Sequence, residues 1–233
     1  MAKKTKSLKE VARKLIVKTD PKSFVSEQFR IARTNINFSK PDGELTTLLF
    51  TSSVQAEGKS TSSGNLACLF AQEGKKVILI DADMRKPTVQ YTFHLTNTIG
   101  LSNILAQNTP VMDAVKETDI ENLHIITSGP IPPNPAELLS SKAMDEMVAE
   151  LKKHYDLVIF DAPPVLSVTD AQILANKCEG TVLVISAGAT DKNSVLKAKE
   201  LLEASKAKII GTVLNNFKLE KDHYYYQYYG TEE

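Results

Sequence analysis

Lys59 stands between Gly58 and Ser60, and that triplet carries the clearest chemistry in the chain. The stretch Ser53-Val54-Gln55-Ala56-Glu57-Gly58-Lys59-Ser60-Thr61 follows an apolar run of strand length and opens a helical pattern. A helix start leaves backbone N–H groups without partners, and the helix dipole adds about half a positive charge there. Phosphate oxygens suit both features. Gly58 lets the backbone approach an anion with no Cβ in the way. Lys59 is expected to reach the β- and γ-phosphates of ATP, and the Ser60 hydroxyl to ligate Mg²⁺. Ser53, Ala56, Glu57 and Thr61 complete the expected ATP-binding loop. A chance Gly-Lys-Ser at a helix start is the bland alternative, but the strand before it and the helix after it are what a phosphate loop requires. One position departs from the usual pattern: Ser53 stands where the first glycine would be, which is tolerable if its φ is not positive.

Carboxylates occur at two further strand ends. Ile78-Leu79-Ile80-Asp81-Ala82-Asp83-Met84-Arg85 closes an apolar strand, and residues two apart on a strand share a face, so Asp81 and Asp83 are expected to project together. Leu157-Val158-Ile159-Phe160-Asp161 is a second apolar strand ending in an acid, as suits an Asp that holds Mg²⁺ through water. Each alone reads as a loop cap. Three such acids beside one phosphate loop point to a site. Arg85 is open between stabilising phosphate charge and pairing with a carboxylate. Asn215 is open between reading adenine through its amide and starting a turn. Gly129–Pro135 reads as a stiff surface linker into the following helix.

These groups need a frame to hold them. Unalternating apolar runs at Leu45–Phe50, Val77–Ile80, Leu123–Ile126, Leu157–Phe160, Thr181–Ile185 and Ile209–Leu214 suit strands buried on both faces. Helical stretches lie between them: one from Lys59 to a stop at Gly74, then Lys142–His154, Asp170–Lys177 and Asn193–Ala204. The expected fold is α/β: a P-loop NTPase-like, doubly wound, mostly parallel sheet with helices on both faces. Asp20-Pro21 predicts an N-cap and first turn for a preceding helix that runs to about Phe38. The expected organisation is a basic extension over 1–20, a core domain over 21–217 with its first helix at 21–38, and a tyrosine-rich tail over 218–233.

Composition narrows the functions. The 233 residues hold 28 Lys plus Arg against 28 Asp plus Glu, so no whole-protein field draws in nucleic acid. Lys3, Lys4, Lys6, Lys9, Arg13, Lys14 and Lys18 make the first eighteen residues basic. A solvated terminus is the favoured reading, with attraction to an anionic membrane surface the sharper one. No apolar run approaches the roughly 18 residues of a membrane span. Cys68 and Cys178 lie in apolar helical patterns and read as small core residues in a reducing cytosol.

The phosphate loop, the Asp-x-Asp-x-Arg strand end and the later strand ending in Asp together resemble the bacterial protein-tyrosine kinases, over about Ser23 to Gly230. The resemblance implies a catalytic site of Lys59, Asp81, Asp83 and Asp161. Ser60 and the aspartates are the expected Mg²⁺ ligands, Asp161 with one of the strand-two pair, while the other of that pair takes the tyrosine proton, with Asp81 favoured for that role. Glu27, Arg30 and Arg33 match the family's Glu-x-x-Arg-x-x-Arg helix, which implies ring assembly; unaided, that spacing reads as a surface ion-pair stripe. Tyr224, Tyr225, Tyr226, Tyr228 and Tyr229 crowd into the polar tail, which is odd for a core and fits autophosphorylation sites. The resemblance further implies a cytoplasmic chain drawn to the inner face of the cell membrane by a separate membrane-spanning modulator, acting on protein tyrosines in capsule or exopolysaccharide production. The rival is an ATP-driven switch of the partition or septum-positioning kind. Those proteins usually carry a lysine four residues before the loop glycine, where this chain has Val54, and they lack a tyrosine tail.

Overall fold

The computed structural model of the protein describes residues 13–40 and 43–217, so the tail tyrosines and Lys3, Lys4, Lys6 and Lys9 lie outside the described residues. Strands form where apolar runs do: β1 (Thr47–Ser52), β2 (Val77–Asp81), β4 (Leu123–Ile126), β5 (Leu157–Asp161), β6 (Gly180–Ser186) and β7 (Ile209–Asn215). A two-residue strand, β3 (Lys116–Glu117), adds an antiparallel edge beside β4, and all the other pairings are parallel. The seven strands stand in the order β3-β4-β2-β5-β1-β6-β7. From central β1 the chain builds towards one edge, returns to insert β5, and continues to the other. Ligands of open α/β sheets sit outside the strands' carboxyl ends at such a reversal.

Each of the six longer strands feeds two cores, as period-two side chains must. Ile78, Ile80, Val158 and Phe160 pack under α5 (Leu101–Leu105), α6 (Pro135–Ser140), α7 (Lys142–Leu151), α8 (Asp170–Lys177) and α9 (Lys192–Ala204). Val77, Leu79, Leu157 and Ile159 face the other way, in one cluster with α2 (Phe24–Asn37), α3 (Lys59–Gln72) and Val89 of α4 (Val89–Thr92). Both cysteines are free and buried, and burial pushes each thiol up to about 12, as suits inert core residues.

Two expectations need correction. The N-cap of α2 is Ser23, whose hydroxyl accepts from the Ser26 N–H; Asp20 contributes only its carbonyl, which accepts from the hydroxyls of Ser23 and Ser26. The extension expected over 1–20 is also not all solvated. Residues 13–20, with α1 (Ile16–Thr19), pack on the phosphate-loop helix: Val17 is buried, its N–H donates to Asn65 Oδ1, and Asn65 Nδ2 donates to the Lys14 carbonyl. Lys18 pairs with Asp119. Among the described residues no helix is long and apolar enough to cross a membrane. Pro135 at the first turn of α6 ends the stiff linker, as the sequence predicts.

Candidate active site

Parallel register sets the acids side by side. Asp81 and Asp161 are Cα partners across β2 and β5, and β1 with its loop flanks β5 on the other side. The row therefore runs Asp81, Asp161, phosphate loop. Lys59, the first residue of α3, completes it: its Nζ lies 3.2 Å from Asp83 Oδ2 and 3.4 Å from Asp161 Oδ1. Burial lowers the Lys59 pKa, but the carboxylates of Asp161, Asp83 and Asp81 outweigh it and leave the ammonium held above its ordinary value. Burial raises Asp161 against the opposing pull of Lys59 and a Ser60 hydrogen bond. Burial pushes Asp81 up to about 7, with the neighbouring Asp161 charge adding to it.

The two strand-two aspartates differ in access. Asp81 is fully buried, and both its oxygens accept backbone N–H bonds: Oδ1 from Asp83, and Oδ2 from Thr88 and Val89 at 3.0 Å each. Asp83 is also buried, but its side chain keeps 9% exposure where that of Asp81 keeps none, with Oδ1 on the Lys86 N–H and Oδ2 on Lys59. They gather at one site without presenting one face.

The loop has its own scaffold. Its left-handed residues are Ala56 at φ 67° and Gly58 at φ 97°; Ser53 is not among the positive-φ residues, so no glycine is needed there. Ser62 is the first N–H of α3 with an acceptor in the helix, the Gly58 carbonyl at 2.8 Å. The N–H groups of Lys59, Ser60 and Thr61 thus point out of the helix start, free of its ladder. Glu57 is buried within the loop: Oε2 accepts from Val54 N–H at 2.7 Å and Oε1 from the Thr190 hydroxyl. Asn215 Nδ2 donates to the Glu57 carbonyl at 3.0 Å, so this amide braces the loop in place of starting a turn. Arg85 takes the carboxylate alternative, with Nε and Nη2 on the two oxygens of buried Asp170 at 2.9 and 3.0 Å. Sequence reasoning passed over Asp170, Thr190 and Lys86; only their tertiary partners single them out.

Comparison with known proteins gives the family. Residues 55–190 match the AAA domain family. The tyrosine-protein kinase YwqD of Bacillus subtilis is 52% identical over 95% of this chain and 93% of its own length. The chain belongs to the bacterial protein-tyrosine kinases. The kinase is also 43% identical to the tyrosine-protein kinase CpsD of Streptococcus agalactiae, over 81% of each chain. The crystal structure of the chimerical protein CapA2B2 superposes on the kinase with a TM-score of 0.85 at 44% identity, covering 89% of this chain and 93% of that one. Curated relatives at this identity carry the kinase name, which sets aside the septum-positioning switch.

The helix that carries Glu27, Arg30 and Arg33 divides them. Arg30 Nη1 is 2.9 Å from Glu27 Oε2 at the surface, whereas Arg33 leans inward, donating to the Leu69 carbonyl in the last turn of α3 and lying 3.8 Å from Glu73. A cation at a helix C-terminus is stabilising there. Arg33 therefore helps dock α2 on α3, and the shared face holds Glu27 and Arg30 alone.

Proposed function

We propose that this kinase transfers the γ-phosphoryl group of ATP to protein tyrosines, with Tyr224, Tyr225, Tyr226, Tyr228 and Tyr229 of a second copy among its acceptors. The observation that carries the reading is the Lys59 ammonium between Asp83 and Asp161 at the start of α3. Phosphoryl transfer asks mainly for positioning and charge neutralisation, and this cluster supplies both. The loop N–H groups and Lys59 would bind the phosphates.

Mg²⁺ fits the donor set. Asp161 Oδ2 is buried without a hydrogen-bond partner, while Oδ1 of the same carboxylate lies 3.4 Å from Lys59 Nζ. Among the described residues no three His, Cys, Asp or Glu side chains are spaced to hold a metal alone, but Mg²⁺ with a nucleotide needs only one or two carboxylates beside the phosphates. When bound, the ion would neutralise charge on the β- and γ-phosphates. For the base, reach comes before pKa. Burial raises Asp81 to about 7, yet its oxygens face the main chain, so we assign proton acceptance from the tyrosine to Asp83.

The test mixes a Lys59→Met chain bearing an intact tail with an active chain whose five tail tyrosines are Phe. Phosphate is expected on the tail of the inactive chain. Label absent from that chain would rule out transfer between copies, and label released only as free phosphate would rule out the kinase reaction.

Ring assembly through α2 is part of the same reading. Beside Glu27 and Arg30, Val25 and Ile31 are 50% and 46% exposed, and the helix borders an apolar groove against β7. Head-to-tail rings repeat one contact, so Glu27→Ala with Arg30→Ala should convert assemblies to monomers in light scattering. Arg33 is kept, because its loss would also loosen α2. Unchanged mass in the double variant would argue for another interface. A separate membrane-spanning modulator, recruitment to the inner face of the membrane, and a role in capsule or exopolysaccharide synthesis complete the proposal, on the family pattern.

A further inference from the structure

We propose that Lys86 is a further catalytic residue, whose ammonium donates to the γ-phosphoryl group during transfer; the proposal rests on the ATP-dependent kinase reading above. The backbone of Lys86 is fixed from both sides by the site's aspartates. Its N–H donates to Asp83 Oδ1 at 3.0 Å, alongside the Asp83 carbonyl at 3.2 Å. Pro87 follows and restricts the Lys86 backbone to extended values. Beyond it, Thr88 and Val89 are tied to Asp81 Oδ2. Only the side chain can move. It is exposed, and its Nζ reaches Gln55 Oε1 at 3.2 Å, three residues before Gly58 on the phosphate loop. Next to Gln55 the loop turns through left-handed Ala56. The Lys86–Gln55 contact thus ties the turn at Asp83, whose Oδ2 meets Lys59, to the phosphate loop.

Charge decides what Lys86 does there. Three cations border this edge. Lys59 faces two carboxylates and Arg85 faces Asp170, whereas Lys86 faces a neutral amide. A hydrogen bond between charged groups is about twice as strong as one to a neutral group, so a phosphate oxygen displaces Gln55 easily. Lys59 is already neutralised by acids that the metal also needs, so Lys86 supplies positive charge the cluster otherwise lacks. In the step, the bond from the tyrosine oxygen to the γ-phosphorus forms as the bond to the β–γ bridging oxygen breaks. ADP leaves with that electron pair, and the tyrosine proton passes to Asp83. Lys86 keeps its own protons and stabilises the equatorial oxygens.

Lys86→Met and Lys86→Arg test this in the full chain. An exposed side chain with one neutral partner contributes little to folding, so both variants should melt with the parent. Lys86→Met is expected to lower kcat about 30-fold or more and to weaken a non-hydrolysable ATP analogue about tenfold, leaving ADP affinity unchanged. Lys86→Arg should recover most of both losses. Equal weakening of ADP and the analogue would place Lys86 on the loop and not on the γ-phosphate, and overturn the proposal. So would parental kcat in Lys86→Met. If the parent yields free phosphate and no phosphotyrosine, the kinase reading fails by itself, and the difference between the analogue and ADP still decides whether Lys86 touches the terminal phosphate.

Discussion

Lys59→Met should lose phosphotyrosine formation by about a thousandfold or more while the chain still folds. Among the described residues the ammonium is the one cation set between Asp83 and Asp161, so no described neighbour replaces it. Its removal also changes how stability depends on pH. Asp81 already titrates near 7 in the folded protein, far above an unfolded aspartate at 3.8. An acid raised by folding binds an extra proton in the folded state between those values, so stability falls as pH rises through the window and levels off above the folded pKa. Lys59 opposes that rise for both Asp81 and Asp161. Without it the window extends upward. The variant should melt close to the parent at pH 6 and clearly below it at pH 8. Melting curves without nucleotide at the two pH values, with antiphosphotyrosine blots, give the check. Full autophosphorylation by the variant would sink the assignment of Lys59.

Gly58→Ala is the second large effect expected. Gly58 sits at φ 97°, which costs an L-residue roughly 1–2 kcal/mol. A Cβ there would also lie 2.0 Å from Asn215 Nδ2, too close to coexist with the amide as placed. Asn215 would have to withdraw from the Glu57 carbonyl, and the loop would lose its tie to β7. Together the two costs should weaken ATP by about a hundredfold, since roughly 1.4 kcal/mol is a factor of ten. Adding Asn215→Ala removes the clash and keeps the φ strain, so the double variant should recover part of the loss. Nucleotide titrations of the two single variants and the double variant separate the terms. Parental ATP affinity in Gly58→Ala would mean that close approach is not what the position provides.

The frame and the outline of the site were legible in the sequence because both rest on short-range patterns. Unbroken apolar runs marked six strands, and α8 fell on Asp170–Lys177 as read. Two-residue β3 carried no such run and was missed. The competition between Asp20 and Ser23 to cap α2 turned on local hydrogen bonds that spacing does not rank. What stayed hidden was pairing at long range. Nothing near Arg85 in sequence announces Asp170, and nothing near Glu57 announces Thr190. Asp81 and Asp83 look equivalent on the strand. The backbone N–H groups of Thr88 and Val89, which close over Asp81, separate them.

The placing of β1 between β5 and β6 also has a consequence for synthesis. Among the described strands, the one that leads into the phosphate loop is the first made, yet both its sheet neighbours come more than a hundred residues later. Until the ribosome has released Leu157–Asp161 and then Gly180–Ser186, first both edges and then one edge beside Leu48, Leu49 and Phe50 lack a partner, and α3 has no finished sheet to lie on. Pairings this distant form slowly and leave sticky edges exposed meanwhile. A stalled or truncated product that ends before β5 is therefore expected to aggregate or be degraded, and the nascent chain gains no nucleotide to steady it until β5 and β6 have emerged.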